Sequence, residues 1–165
     1  MRLQRVILAL IMALAPLGQA WAQAVVGEAA PQFARKDTKG EDVSLAALKG
    51  KAVVLEWTNA ECPFVKKHYG GGNMQKTQAY AAEKGAVWIS VISSAEGKQG
   101  YVSDEEAGVL TMERNAKPAH ILRDPKGELG HLYGAKTTPH LFVINAEGKV
   151  AYQGAIDSES TADPA

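Results

Sequence analysis

Two nearly continuous apolar runs interrupt an otherwise mixed chain: "AVVLEW" (52–57) and "AVWISVIS" (86–93). Short runs rich in β-branched residues predict strands covered on both faces of a sheet. Between them a helix is predicted from Cys62-Pro63, broken by Gly70-Gly71-Gly72 and resumed through "MQKTQAYAAEK" to Gly85. Asn73 is the expected cap of the second piece, since Lys76 stands where a capping box wants Glu or Gln. Upstream, "DTKGED" (37–42) predicts a turn between two short strands, with Gly40 supplying the tight backbone. "SLAALKGK" predicts a brief helical turn, capped by Ser44 and ended by Gly50.

Downstream, Ser103 and Glu106 have capping-box spacing for a helix reaching about Asn115. "AHILRD" predicts a strand, "PKGE" a turn and "LGHLYG" a short helix. "HLFVI" and "KVAYQG" predict a closing hairpin around the turn Asn145–Gly148. Strands alternating with helices, then a hairpin, make an α/β domain with a mixed central sheet, preceded by a β extension. The polar end "AIDSESTADPA" stands where this layout wants one more helix, so the final helix is expected to be missing.

The first residues change the picture of where the chain works. Arg2 and Arg5, the run "VILALIMAL" and the small residues of Ala20-Trp21-Ala22 have the pattern of a secretory signal peptide. Cleavage is expected after Ala22, leaving 23–165 as one periplasmic or secreted domain, with no later segment apolar enough to span a membrane. Eighteen basic residues balance eighteen acidic ones, and loss of the leader tips the balance slightly acidic. The lysines are scattered rather than clustered, which argues against nucleic acid as a partner.

One cysteine, Cys62, excludes an internal disulfide. A lone cysteine is ordinarily a buried small hydrophobe, but the neighbours of this one point elsewhere. Pro63 belongs at the first position of a helix, which makes Cys62 the N-cap, its sulfur directed at the N–H groups of Phe64 and Val65. That helix end, with Lys66 and Lys67 close by, favours the thiolate, and Glu61 opposes it. Glu56 interrupts the apolar run. It is either a buried acid near neutrality, usable as a proton acceptor, or a carboxylate facing water from an edge strand. Pro139, after Thr137-Thr138 and before a buried strand, is a candidate cis peptide or an ordinary strand opening.

"VVLEWTNAECPFVKK", followed by "TTPHLFVINAEGKVAYQGAID", resembles the thioredoxin fold in its redoxin, or AhpC/TSA, branch. The likeness runs from "GEAAPQF" to Asp157. It implies a nucleophilic cysteine capping the helix after a central strand, a cis-proline loop against it, and a buried acid six residues before the cysteine. Cys62, Pro139 and Glu56 stand at those positions, as catalytic residues. Pro63, Thr138 and His140 are implied as the residues that meet the substrate. Val65 replaces the second cysteine of the Cys-x-x-Cys pair. Peroxiredoxins have threonine three residues before their cysteine and a proline further upstream. Asn59 and Leu55 hold those positions here, with Thr58 one residue out of register. The chain is thus similar to single-cysteine, peroxiredoxin-like proteins with "CPFVK".

The resemblance implies an oxidoreductase acting on disulfides or peroxides, with an antioxidant role, no cofactor and no metal. Its partner is an external thiol reductant or a protein disulfide. The alternative is a non-catalytic binding module, or a carrier holding metal between Cys62 and His140, two soft ligands being few for retention. His68, six positions after Cys62, falls on the far side of the helix, and His120 and His131 are expected to be solvated or hydrogen-bonded structural residues. The loop "SSAEGKQGYVSDEE", with Tyr101, reads equally as a lid or a solvated loop.

Overall fold

The computed structural model describes residues 23–163, so the predicted signal peptide lies outside the described residues. The elements are β1 (Ala34–Lys36), β2 (Asp42–Ser44), a 3-10 turn (Ala46–Leu48), β3 (Val53–Trp57), α1 (Pro63–Gly70), α2 (Asn73–Glu83), β4 (Val87–Ile92), α3 (Asp104–Glu113), β5 (His120–Arg123), α4 (Glu128–Tyr133), β6 (His140–Ile144) and β7 (Val150–Gly154). The five-stranded sheet runs β5-β4-β3-β6-β7, while β1 and β2 form a separate hairpin. β3 lies parallel to β4 and antiparallel to β6, which makes the sheet mixed.

All five residues of β3 are buried, as the apolar run demands of a central strand. Side chains alternate across a strand. Val53, Leu55 and Trp57 therefore enter one core with Phe142, Leu129 and Tyr133, roofed by α4 and the N-terminal segment. Val54 faces the other way, toward Val65, Tyr69, Met74, Ala81 and Trp88 under α1 and α2. A smaller cluster of Val102, Ala107 and Ile121 seats α3 on β5.

The capping box of α3 is formed: Ser103 Oγ accepts the Glu106 N–H at 3.2 Å, and Glu106 Oε2 accepts the Ser103 N–H at 2.6 Å. The start of α2 differs from expectation. Its cap is Gly72, at φ 75°, and Asn73 is the first helical residue. A left-handed residue is needed to turn the chain between α1 and α2, and glycine adopts it without a Cβ clash. The Asn73 amide is thereby freed to meet His68 Nδ1 at 2.8 Å.

Candidate active site around Cys62

Cys62 sits at the N-cap of α1 with extended backbone (φ −65°, ψ 126°), and Pro63 opens the helix. The loop before it is tied down locally. Asn59 accepts the Cys62 N–H through its carbonyl at 3.1 Å and the Glu61 N–H through Oδ1 at 2.8 Å. Asn59 also packs on Gly100, where a Cβ would lie 2.3 Å from the amide. Gly100 has φ 79° and donates its N–H to Glu61 Oε1 at 3.2 Å. Arg114 reaches from the end of α3 to the Ala60 carbonyl at 3.0 Å. The loop containing Tyr101 is therefore docked on the cysteine loop through Gly100, a contact between two polar loops that periodicity does not encode.

The sulfur does not cap its helix. Sγ donates to the Thr138 carbonyl at 3.0 Å, and the side chain makes no bond to the N–H groups of Phe64 or Val65. An S–H is a donor, so it turns to an acceptor across the fold rather than to amide donors beside it. The Thr138–Pro139 peptide is cis. Cys62, Thr138 and Pro139 thus come together, with Pro63 exposed as the next residue of the chain and Cys62 half-buried against the α1–α2 core. Beside them opens a pocket of about 250 Å³ lined by Phe64, His68, Thr138, Pro139, Ile156 and Asp157.

Glu56 is fully buried on the α1–α2 face, which removes the edge-strand reading. Four side chains converge on its carboxyl: Trp88 Nε1 donates at 2.8 Å, Tyr69 Oη at 2.9 Å, Ser90 Oγ at 3.1 Å and Gln78 Nε2 at 3.4 Å. Burial raises its pKa above the ordinary glutamate value, and the donated bonds from Trp88, Tyr69, Ser90 and Gln78 work against that rise. Tyr69 is held protonated by burial and by the neighbouring Glu56 charge. None of these bonds reaches Cys62. Tyr69 and Ser90 also border a cavity of about 30 Å³, onto which Thr58 opens. The Thr58 Oγ1 is buried without a hydrogen-bond partner, and the space suits one or two waters.

His140 is not at the sulfur. It pairs with Trp57 across β3–β6, and its ring stacks on Phe142 at 4.6 Å, on the sheet face opposite Cys62. Its Nδ1 accepts the Lys136 N–H at 3.2 Å. Burial, then the Lys136 charge, lowers its pKa. The reason is the strand period: Leu141, one residue on, takes the cysteine face. A Cys62–His140 metal pair is therefore not assembled. His68, 2 % exposed, faces Asp157 at 3.5 Å, and Asp157 also pairs with Lys67 at 3.0 Å. His120 is hydrogen-bonded to Asp37 at 2.8 Å.

A central mixed sheet with helices on both faces, a cysteine at the mouth of the helix after the middle strand, and a cis-proline loop against it define the thioredoxin-like class. The AhpC/TSA family model matches residues 26–153, and the chain belongs to the AhpC/TSA family. The fold is similar to the crystal structure of an uncharacterized conserved protein from Geobacillus kaustophilus, with TM-score 0.74 and 24% identity over 86% of this chain and 75% of that one. It is also similar to a putative thiol:disulfide interchange protein DsbE from Chlorobium tepidum, with TM-score 0.63 and 27% identity over 79% and 85% of the two chains. A secreted disulfide oxidoreductase of Mycobacterium tuberculosis aligns with TM-score 0.61 and 16% identity over 79% and 87%. No curated protein matches the chain.

Proposed function

We propose that the chain is an exported thiol oxidoreductase of the single-cysteine, peroxiredoxin-like kind, with Cys62 as its nucleophile. The observation that carries this reading is the placement of Sγ 3.0 Å from the Thr138 carbonyl, beside Pro139 and an open pocket. An extended segment of a partner lying along Thr138 and Pro139 would meet the sulfur directly. Export rests on the leader pattern of residues 1–22, and the secreted mycobacterial relative agrees with it.

In the first step Cys62 loses its proton and the thiolate attacks a disulfide, forming a Cys62–partner disulfide and releasing the other sulfur as a thiolate. An external thiolate then attacks the mixed disulfide, restoring the Cys62 thiolate and leaving the partner disulfide-bonded to that thiol. With a peroxide the thiolate takes one oxygen to become a sulfenic acid, and the alkoxide or hydroxide leaves with a proton. Val65 stands where a resolving cysteine would be, so the second thiol comes from outside.

Glu56 is the proton acceptor of this scheme. It has no direct bond to Cys62, so the transfer requires an intervening water. Mass spectrometry of the exported protein after disulfide or peroxide challenge tests the reading: a mixed disulfide or sulfenic acid on Cys62 supports it. Unchanged turnover of both substrates in Cys62→Ser would end it.

One observation favours a second reading, a non-catalytic binding module: the sulfur meets the Thr138 carbonyl and makes no bond to the amides that open α1. Alkylation kinetics separate the two. A thiol that reacts at neutral pH no faster than free cysteine supports the module.

A further inference from the structure

Away from Cys62, two carboxylates converge on one imidazole nitrogen. Asp37 opens the turn of the β1–β2 hairpin, and its Oδ1 accepts the N–H groups of Lys39 and Glu41, each at 2.9 Å. Oδ2 is left to meet Nδ1 of His120 at 2.8 Å. Glu41 Oε2 lies 3.9 Å from that same nitrogen. The Thr38 N–H donates to the Ile121 carbonyl at 3.0 Å, so the hairpin turn is docked on the outer edge of β5. The three donor atoms therefore come from two separate elements and lie within 4.8 Å of one another.

One hydrogen cannot serve both acids. Nδ1 carries a single hydrogen, and the shorter contact assigns it to Asp37. Among the described residues Glu41 has no other ion-pair partner. A divalent ion in the place of that hydrogen would satisfy all three groups. Two ligands of a tetrahedral zinc ion stand about 3.4 Å apart, from Zn–N and Zn–O bonds of about 2.1 Å. The observed spacings of 2.8 and 3.9 Å fall on either side of that value. Glu41 has a largely exposed side chain and is free to close the longer one.

We propose that Asp37, Glu41 and His120 form a binding site for a divalent transition-metal ion, with zinc as the fitting case. One imidazole nitrogen and two carboxylate oxygens suit a borderline cation. The metal takes the Nδ1 lone pair, and the neutral ring keeps its one hydrogen on Nε2. Where the ring starts as the cation, one proton passes to solvent. The two carboxylates balance the ion's charge. A fourth position stays open to water, and His120 with Thr38, Lys39, Met112 and Pro118 borders an open pocket of about 380 Å³ from which it can be reached. The ion would cross-link the N-terminal hairpin to the edge strand, independently of the thiol.

The test titrates Zn²⁺ into the metal-stripped full chain by calorimetry, with bound zinc counted after gel filtration. One equivalent per chain is expected. Glu41→Gln, a surface change that spares the fold, and His120→Asn should each weaken binding at least about tenfold. Cys62→Ser should leave it unchanged. Zinc should raise the Tm of the wild type and not that of Glu41→Gln. No uptake by the wild type, an equivalent undiminished in both ligand variants, or an equivalent lost in Cys62→Ser would overturn the proposal.

Discussion

The two faces of β3 are built from alternate residues of one five-residue strand, and they do different work. Val53, Leu55 and Trp57 enter an apolar, aromatic core with Tyr133 and Phe142, in which the Trp57 and Phe142 rings meet edge-on at 5.2 Å. Val54 and Glu56 enter the face under α1 and α2, where a buried carboxyl collects four donors beside the helix that carries Cys62. The first face is held mainly by apolar and aromatic packing, and its polar groups, Trp57 Nε1, Ser93 and the buried Asp124, bond to one another away from the thiol. The second accepts the cost of burying a charge-bearing group, and satisfies it with hydrogen bonds because an unpaired carboxyl there would be intolerable. Polar burial next to the one thiol is what separates a candidate active site from a core.

Substitutions can break that division, and the largest effect is expected at the thiol. Cys62→Ser should reduce disulfide and peroxide turnover to background in a coupled thiol assay while leaving the thermal midpoint nearly unmoved. Glu56→Gln keeps the shape of the acid and removes its proton chemistry, so turnover should fall about a hundredfold or more. Phe142→Ala, on the other face, should cost about 3–5 kcal/mol in urea unfolding with little change in activity per folded molecule. Equal losses of activity and stability in either of the last two variants would erase the contrast between faces. The smallest effect is expected at His140→Ala. Loss of its stacking on Phe142 should cost about 1 kcal/mol and leave turnover unchanged, because the ring lies across the sheet from the sulfur.

Glu56 also gives the comparison a pH dependence. Its folded pKa is raised above the ordinary 4.5, so between those two values the native state holds a proton that the unfolded chain has released. Stability therefore falls as pH rises through that window, and levels off once the folded carboxyl ionises. Glu56→Gln should flatten this slope in denaturation midpoints measured from pH 4.5 upward. A slope identical in the variant would show that the buried carboxyl does not titrate with folding.

Much of this was legible in the chain because it is local. The runs at 52–57 and 86–93, the Ser103–Glu106 box, the turn at Gly40 and the Cys62-Pro63 helix start each depend on residues a few positions apart. The strand–helix order carried the α/β class, whereas the residues at Thr138-Pro139 left cis and trans both open and only the resemblance pointed to the cis bond that is found. Local pattern misled at Asn73, where the turn between helices needed glycine's left-handed backbone more than an amide cap. It misled again at the sulfur, whose hydrogen-bond partner is 76 residues away.

Tertiary structure alone decided which side of the sheet each residue faced and which distant groups met. His140 lost the thiol because a strand reverses its side chains at every step, and register with β3 set which step fell where. Glu56 was shown to be buried because Tyr69, Gln78, Trp88 and Ser90 arrive from three other elements, and no spacing in the chain announces that convergence. The meeting of Asp37 and Glu41 with His120 has the same cause. Sequence by itself determined the elements and the candidate chemistry, through short-range sterics and hydrophobic period. Contacts between remote segments determined how that chemistry is placed, since packing and not adjacency sets the distances over which protons and charges act.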